Sequence, residues 1–539
     1  MSQLIPPATT LDAITVEVLW TRLISAIDEA ALTLHRTSFS TVVRESHDYS
    51  CMVLAPDGQS VAQATRSIPS FIGTLPMSVR AFLQKFPAET LKPGDVIISN
   101  DPWIGTGHLP DLTLAAPIFL GDTLVGFAGA IAHMADIGGR RRAPDNKDIY
   151  EEGLQIPILK LYDQGQADKT LFQIIRQNVR VPDEVCGDIH AMVGACTRMT
   201  EGVSGLLAEY DLPDLMGFGN KIIGLTETAM RKAISDVPDG VYEATTHIDS
   251  FNTTAPLVMQ CRIDVRGDEL SVDFAGSSPQ NRSPLNSVLG YTSAYSSYAL
   301  KCVLSPDIPN YEGAFHPITI TAPEGSFLNP SYPAAVEARA TVGHYCTSAV
   351  FNALAKALPD RSPAESGVPL HGFAMSGWNG EVPFSTIIFF NGGLGGRPSG
   401  DGVSALSFPT NVSNTPTEVL ERAAPVRILE KSFLPGSGGA GQFRGGLGQR
   451  VAMEIVSDRP VTLSVLSQRL KHPPVGRNGG ANGSLERILV NGIEVEGGVP
   501  FHLNKGDVIV LELPGGGGFG PPEARDKALI EQDRADQMA

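Results

Sequence analysis

The sequence predicts an α+β fold: a mixed, β-rich chain of several domains that begins with an amphipathic helix. Three observations predict it. Short apolar segments separated by turn residues run through much of the chain and are typical of strands. The 56 Gly and 40 Pro residues supply turn positions. A chain of 539 residues is also longer than one that usually folds around a single hydrophobic core. The pattern of predicted elements and Gly-rich loops changes near residues 240 and 410. These changes divide the chain into an N-terminal α+β domain (1–240), a middle β-rich domain (241–410) and a C-terminal Gly-rich β domain (411–539).

The first element is a helix that starts after Asp12, a typical N-cap residue. Apolar residues recur at helical spacing between positions 16 and 34, so we expect an amphipathic helix to about His35. A strand at 51–54 follows, and a Pro-Asp-Gly turn allows residues 61–64 to return as its partner.

A second β unit starts after Gly94. DVIISN reads as a strand, NDPWIGTGHLPD as a polar loop, and LTLAAPIFL and LVGFAGAIA as a hairpin around Gly121-Asp122. Helical patterns follow at about 168–178 and 183–211, and alternating strands begin at 241.

Composition excludes several classes of function. A formal net charge of −17 disfavours nucleic acid as a partner, because acidic surfaces repel phosphate backbones. No run of eighteen apolar residues predicts a membrane span. The six cysteines form no CxxC pair, and the first residues do not read as a signal peptide, so we expect reduced thiols in a cytoplasmic protein.

Two segments carry the residues that predict chemistry. GTGHLPDLT holds His108 and Asp111, and AIAHMADIGG holds His133. Imidazole and carboxylate groups suit Zn²⁺, Mn²⁺ or Fe²⁺. A single histidine is more often an ordinary hydrogen-bonded side chain, but the set of three at one end of a hairpin favours one divalent-metal site.

The hairpin register decides whether these side chains meet. A two-residue turn at Gly121-Asp122 pairs Asp111 with Ala132, and one more residue in the turn pairs Asp111 with His133. Because a shift of one residue exchanges the faces of a strand, we prefer the second register, which brings both side chains to one face.

A fourth ligand has to come from another segment, and RESHDYS offers two acidic candidates. Asp48 stands directly before the first strand, where it is either a ligand or an Asx-turn residue. Glu45 is the alternative ligand and a candidate general base. The sequence leaves open which of the two binds the ion.

The same segments resemble the hydantoinase B family. RESHDYSCMVL, SNDPWIGTGHLPDLT and AHMADIGG are followed in family order by VDFAGSSPQ, NTPTEVLE, SGGAGQFRGGLG, KHPPVGRNGG and PGGGGFGPP. The family includes hydrolytic parts of N-methylhydantoinase and oxoprolinase, and large subunits of acetone and acetophenone carboxylases. The resemblance covers nearly the whole chain, and the ordered combination of blocks is what makes it specific.

The resemblance implies the roles of particular residues. His108, Asp111 and His133 fall where the family's metal ligands lie, and Asp48 or Glu45 falls at the acidic ligand. The family's ATP step belongs to a separate hydantoinase A-type ATPase, so the resemblance implies a hetero-oligomer, and no GxxxxGK[ST] loop occurs here. Asp136 and Glu45 are the candidate catalytic groups, with Asp101 and Arg339 at the pocket rim.

The implied activity is ATP-dependent opening of a cyclic amide or imide such as a hydantoin, oxoproline or a lactam. A metal-bound water would attack a carbonyl that the partner has phosphorylated. Two alternatives remain: the large subunit of an ATP-dependent ketone carboxylase, and a non-catalytic scaffold whose metal is structural. A site closed by four protein ligands would favour the scaffold.

The Gly-rich blocks have two interpretations. SGGAGQFRGGLG, with Arg444, could cradle a phosphate with backbone N–H groups. It lacks a following Lys-Ser/Thr and a clear helix, so tight turns are favoured.

Overall fold

The structure, a computed structural model, describes residues 12–251, 255–368, 371–495 and 500–538. Within these ranges the chain forms ten α-helices and twenty β-strands, which confirms the predicted α+β class. The helices are α1 (Ala13–Thr37), α2 (Thr41–Arg44), α3 (Pro69–Lys85), α4 (Lys169–Asn178), α5 (Pro182–Glu209), α6 (Met216–Ser235), α7 (Leu289–Leu304), α8 (Arg339–Leu354), α9 (Thr417–Ala423) and α10 (Lys527–Ala535). The strands are β1 (Tyr49–Leu54), β2 (Ser60–Gln63), β3 (Val96–Ser99), β4 (Asp111–Leu120), β5 (Thr123–His133), β6 (Leu159–Asp163), β7 (Gln166–Ala167), β8 (Gly240–Ile248), β9 (Leu257–Arg266), β10 (Glu269–Asp273), β11 (Ile318–Thr321), β12 (His371–Asn379), β13 (Val382–Phe390), β14 (Val426–Phe433), β15 (Gln449–Ile455), β16 (Val461–Val465), β17 (Arg487–Val490), β18 (Ile493–Glu494), β19 (Phe501–Leu503) and β20 (Val508–Glu512).

The largest sheet is antiparallel and has the order β2-β1-β5-β4-β3-β6-β7. Helices cover both of its faces. Cys51 and Val53 of β1 belong to the core that includes α1 and α5, whereas Met52 and Leu54 belong to a second core with residues of α3. Burial on both sides explains why β1 is apolar along its length rather than alternating.

Helix α1 follows the prediction closely. The Asp12 carboxylate accepts a hydrogen bond from the backbone N–H of Thr15 at 2.7 Å, which caps the first turn. The predicted apolar positions are buried, and the helix ends at Thr37, two residues beyond the predicted end.

The β4–β5 hairpin has the preferred register, for a reason that the sequence analysis did not identify. The turn at Gly121-Asp122 is the short one, and Leu120 pairs with Thr123 across it. A β-bulge next to Ile118 then shifts the register by one residue, so that Asp111 pairs with His133. The extra residue that the metal site requires therefore sits in the strand and not in the turn.

The other strands form three further sheets, with the orders β11-β10-β9-β8, β13-β12-β16-β19 and β14-β15-β20-β17-β18. The second of these pairs strands from both sides of position 410. The division into three domains stays a prediction. Helices α7 and α8 pack against each other, and α8 brings its first residue to the end of the large sheet.

Three Gly-rich segments, 392–402, 438–448 and 514–518, form what we call the glycine layer. They lie side by side and exchange backbone hydrogen bonds: the N–H of Gly393 donates to Pro514 O at 3.1 Å, and that of Gly516 to Gly446 O at 2.9 Å. A Cβ on Gly393 would lie 1.8 Å from the Gly446 oxygen. Glycine is required here by close backbone approach and not by the expected tight turns.

None of the described helices is long and apolar enough to cross a membrane. All six cysteines are free thiols, and five of them are buried. The thiols are therefore unpaired, as their spacing predicted.

Candidate metal centre

Three acidic or imidazole side chains lie in a row across adjacent strands. Asp111 pairs with His133 between β4 and β5, and Tyr49 pairs with Ala132 between β1 and β5. The N–H of His133 donates to the carbonyl oxygen of Asp48 at 3.0 Å, which continues the second ladder by one residue. Because directly opposite residues share a face of a sheet, Asp48, His133 and Asp111 are neighbours at one end of it.

The second histidine enters from the loop before β4. His108 Nε2 lies 2.9 Å from Asp111 Oδ1. Gly107 has φ +88°, and a Cβ there would meet the Arg339 side chain at 2.8 Å. Glycine at this position allows the loop to pass the arginine and to place His108 beside Asp111.

One potential ligand atom from each of His108, Asp111 and His133 lies within 4.8 Å of the others. All three residues are buried, with 3, 1 and 4% of their surfaces exposed. The His108 and His133 rings stand edge to face, with centroids 5.2 Å apart. Asp48 is also buried but lies outside this group of three.

Arg339, the first residue of α8, occupies the middle of the centre. Its guanidinium pairs with Asp111 Oδ2 and lies 2.8 Å from His108 Nε2. It also lies over the Tyr291 ring, 3.9 Å from the ring centroid. Arg339, predicted to lie at the rim of the pocket, contacts two of the predicted ligands instead.

Burial and charge together set the protonation of the centre. Burial raises the pKa of Asp48 to about 8, and the charge of Asp111 adds to this effect. Burial acts in the same direction on Asp111, but His108 and Arg339 outweigh it and lower that pKa. Burial lowers the pKa of His108 to about 4 and that of His133 well below its ordinary value. Both imidazoles are therefore neutral at pH 7, as metal coordination requires.

A second layer of buried charges supports these residues. The backbone carbonyl of Glu337 lies 3.4 Å from His108 Nδ1, and its carboxylate accepts a 2.6 Å hydrogen bond from the N–H of Arg142. Glu152 in turn accepts hydrogen bonds from the N–H groups of Val336 and Glu337 at 2.8 and 2.9 Å. With Nδ1–H donated to this carbonyl, His108 Nε2 carries a lone pair, which accepts from Arg339 in this structure.

The other predicted site residues have different surroundings. Glu45 is partly exposed and pairs with its neighbour Arg44 at 3.2 Å. Asp136 is fully buried, and its carboxylate accepts hydrogen bonds from the side chain and backbone of Arg180. Asp101 accepts a hydrogen bond from the N–H of Trp103 in a turn.

Arg444, which the sequence analysis singled out in a Gly-rich block, lies elsewhere. Its Nε is 3.3 Å from Asp533 of α10, and its N–H donates to Asp401. It ties the glycine layer to the last helix.

Sequence reasoning missed several buried groups near the centre. Glu337, Arg142 and His344 have no motif of their own, although the charges of Arg339 and Arg142 both act on His344. One signal was available: the Arg-Arg-Arg run at 140–142 directly follows the AHMADIGG motif in an acidic chain.

The donor set fits a divalent ion. His133 Nδ1 is buried and has no hydrogen-bond partner in the part of the chain that the structure describes, and Asp111 Oδ1 is buried with the His108 ring, at 2.9 Å, as its one close polar neighbour there. The Asp111 carboxylate and two neutral imidazoles, with the Asp48 carboxyl group on the neighbouring strand, suit Zn²⁺, Mn²⁺ or Fe²⁺. Coordination through His108 Nε2 requires Arg339 to release that nitrogen while it keeps Asp111 Oδ2.

Comparison with known proteins identifies the family. The hydantoinase B/oxoprolinase family matches residues 12–522, and the chain belongs to that family. The B polypeptide of a putative D-/L-hydantoinase from Pseudomonas sp. (strain NS671) is 30% identical over 98% of this chain and 93% of its own length.

Two solved structures share the fold. The crystal structure of ATP-dependent caprolactamase from Pseudomonas jessenii superposes with a TM-score of 0.89 at 27% identity, covering 98% of this chain and 95% of that one. A nucleotide-free acetone carboxylase superposes with a TM-score of 0.87 at 18% identity, covering 98% and 78%. The second likeness concerns the fold alone.

Proposed function

We propose that this chain is the hydrolytic subunit of an ATP-dependent enzyme that opens cyclic amides or imides. The observation that carries the proposal is the buried row Asp48, His133 and Asp111 with His108 beside it. The similarity to the B polypeptide of a hydantoinase and to an ATP-dependent caprolactamase supports the substrate class and a hydantoinase A-type ATPase partner.

His108, Asp111, His133 and Asp48 would hold one divalent ion, with Asp48 as the acidic ligand because it faces His133 across the strands. Such an ion acidifies water and polarises a carbonyl oxygen. Arg339 holds Asp111 in position, and its buried charge favours the negative charge that develops when water adds to a carbonyl carbon. Glu45 stays the candidate proton acceptor, and Asp136 positions the loop after His133 through Arg180.

The ATP requirement follows from amide chemistry. A ring amide is a poor electrophile and its nitrogen a poor leaving group. Phosphorylation of the carbonyl oxygen by the partner gives an imidate-type phosphate. Water then adds to that carbon, the ring nitrogen leaves as an amine, and a second water converts the acyl phosphate to carboxylate and phosphate.

The test is reconstitution with the cognate ATPase subunit. The pair should open members of a cyclic amide panel with ATP consumed in step with product, and bicarbonate should have no effect. The chain alone should open none. Loss of turnover in His133→Ala, with the complex intact on size exclusion, ties the activity to this centre.

Three outcomes would contradict the proposal. Bicarbonate-dependent consumption of ketones would favour the carboxylase alternative. Full turnover by His133→Ala would favour a scaffold with a structural ion. Ring opening by the chain without ATP would exclude the two-subunit mechanism.

A further inference from the structure

A polar cleft of about 390 Å³ lies outside the metal centre, and none of the predicted ligands lines it. One wall includes the loop that follows His133, and the other consists mainly of residues of strands β12, β16 and β19. We call it the arginine cleft. Its polar lining comprises Arg140, Arg141, Arg180, Ser376, Thr462, Ser464 and His502.

The charge of the arginine cleft is opposite to that of the chain. The formal net charge of the chain is −17, yet the described lining contains three arginines, one histidine and no Asp or Glu. Arginine groups and hydroxyls are the donors that bind oxyanions, because several N–H and O–H bonds can converge on one group. The lining therefore favours an anionic ligand.

Arg141 is the residue that identifies the ligand position. It is 92% buried, with 8% of its surface exposed, and its Nη1 donates to Ser385 Oγ at 2.6 Å. Its Nε is 4.0 Å from Asp136, and its Nη2 is buried without a hydrogen-bond partner in the described ranges. Arg141 lines the cleft, and a buried charged donor without a partner indicates a missing acceptor.

The other two arginines are already engaged. Arg180 donates to Asp136 at 2.7 Å and to the carbonyl oxygen of Gly139. Arg140 pairs with Asp145 at 2.6 Å. They contribute positive charge to the cleft, whereas Arg141 Nη2 has a free hydrogen-bonding position.

We propose that the arginine cleft binds a phosphate group, with Arg141 Nη2 as the main donor and Thr462, Ser464 and His502 on the opposite wall. Donors on two walls match the three terminal oxygens of a phosphoryl group better than the two coplanar oxygens of a carboxylate. Which phosphate is bound rests on the proposed function: either the phosphoryl group of the activated substrate or the free phosphate product.

The first experiment uses the full chain without metal or partner. Isothermal titration with inorganic phosphate after chelation should show saturable binding at one site, and acetate should bind at least tenfold more weakly. Arg141→Gln should weaken phosphate binding at least tenfold, and His502→Gln at least threefold. Arg198→Gln, an exposed arginine on α5 outside the cleft, is the matched control and should leave the affinity unchanged.

Absence of saturable phosphate binding by the folded wild type would overturn the proposal. Unchanged affinity in folded Arg141→Gln would do the same. If that variant does not fold, unchanged affinity in His502→Gln decides against the cleft, because His502 is exposed and its replacement leaves the core intact.

The reconstituted pair separates the two sources of phosphate. If the cleft holds the phosphoryl group of the activated substrate, Arg141→Gln consumes ATP with less ring opening per ATP. If it holds only the product, the ratio stays at the wild-type value and inhibition by added phosphate weakens. If the chain binds phosphate but the pair opens no ring, the phosphate site stands and the proposed function is refuted. If the pair opens rings but the chain binds no phosphate, the phosphate site alone is refuted.

Discussion

The position of Arg339 predicts an unusual response to its removal. The Arg339 guanidinium neutralises Asp111 and contacts His108 Nε2, so in the absence of an ion it occupies space and charge that the ion would take. Arg339→Met keeps the length of the side chain and removes the charge. We expect the variant to be less stable without metal and to bind metal more tightly.

The magnitude follows from linkage. Removal of one partner from a buried ion pair costs about 3–5 kcal/mol, because the other charge is left unpaired. A bound ion would neutralise Asp111 in the variant and recover part of this loss. If it recovers about 2 kcal/mol, the metal Kd falls about 30-fold, since 1.4 kcal/mol corresponds to a factor of ten.

Two measurements test the prediction: urea unfolding in the presence of a chelator, and metal titration in competition with a chromophoric chelator. Arg469→Met is the matched control, because Arg469 is equally buried, pairs with Glu365 at 2.9 Å and lies 4.6 Å from the centre of the Tyr345 ring. It should lose similar stability with no change in metal Kd. An unchanged or weaker metal affinity in Arg339→Met would refute the reasoning.

Three further predictions concern the ligands and one partly buried carboxyl group. His108→Ala and His133→Ala should each lose most bound metal by elemental analysis with the circular dichroism spectrum retained; stoichiometric metal in both would refute the assignment. In the same assay, Asp48→Asn should lose metal, whereas Glu45→Gln should keep metal and lose turnover with the partner; the reverse result would exchange their roles. Burial raises the pKa of Glu184 to about 7, so the folded protein holds a proton there that the unfolded chain releases near pH 4.5. Between about pH 4.5 and 7 the wild type should therefore lose stability relative to Glu184→Gln, by up to about 1.4 kcal/mol per pKa unit, and an unchanged difference between the two proteins would contradict this.

The sequence was informative where the pattern is local. Strand alternation and turn residues predicted the β4–β5 hairpin, and the preference for one face predicted the pairing of Asp111 with His133. The bulge that produces this register has no sequence signal that we could identify. The position of Asp48 opposite His133 depends on the pairing of β1 with β5, a long-range contact that periodicity cannot supply.

Two of the helices that the sequence did not predict, α7 and α8, are largely buried. Thirteen of the sixteen residues of α8 are buried, so polar and apolar residues do not separate onto two faces. Helix α7 is similarly enclosed. Because α8 supplies Arg339, the failure to predict that helix is also the reason that Arg339 was assigned to the rim and not to the centre.

The glycine layer bears on how the chain completes its fold. It joins segments from three distant parts of the sequence, and its contacts are backbone hydrogen bonds and not apolar side chains. During synthesis, segments 392–402 and 438–448 emerge well before 514–518, and until then their N–H and C=O groups lack these partners. Unpaired backbone edges of this kind readily pair with other chains. A nascent or truncated form without 514–518 should therefore aggregate through this layer even when the metal-binding sheet has already formed.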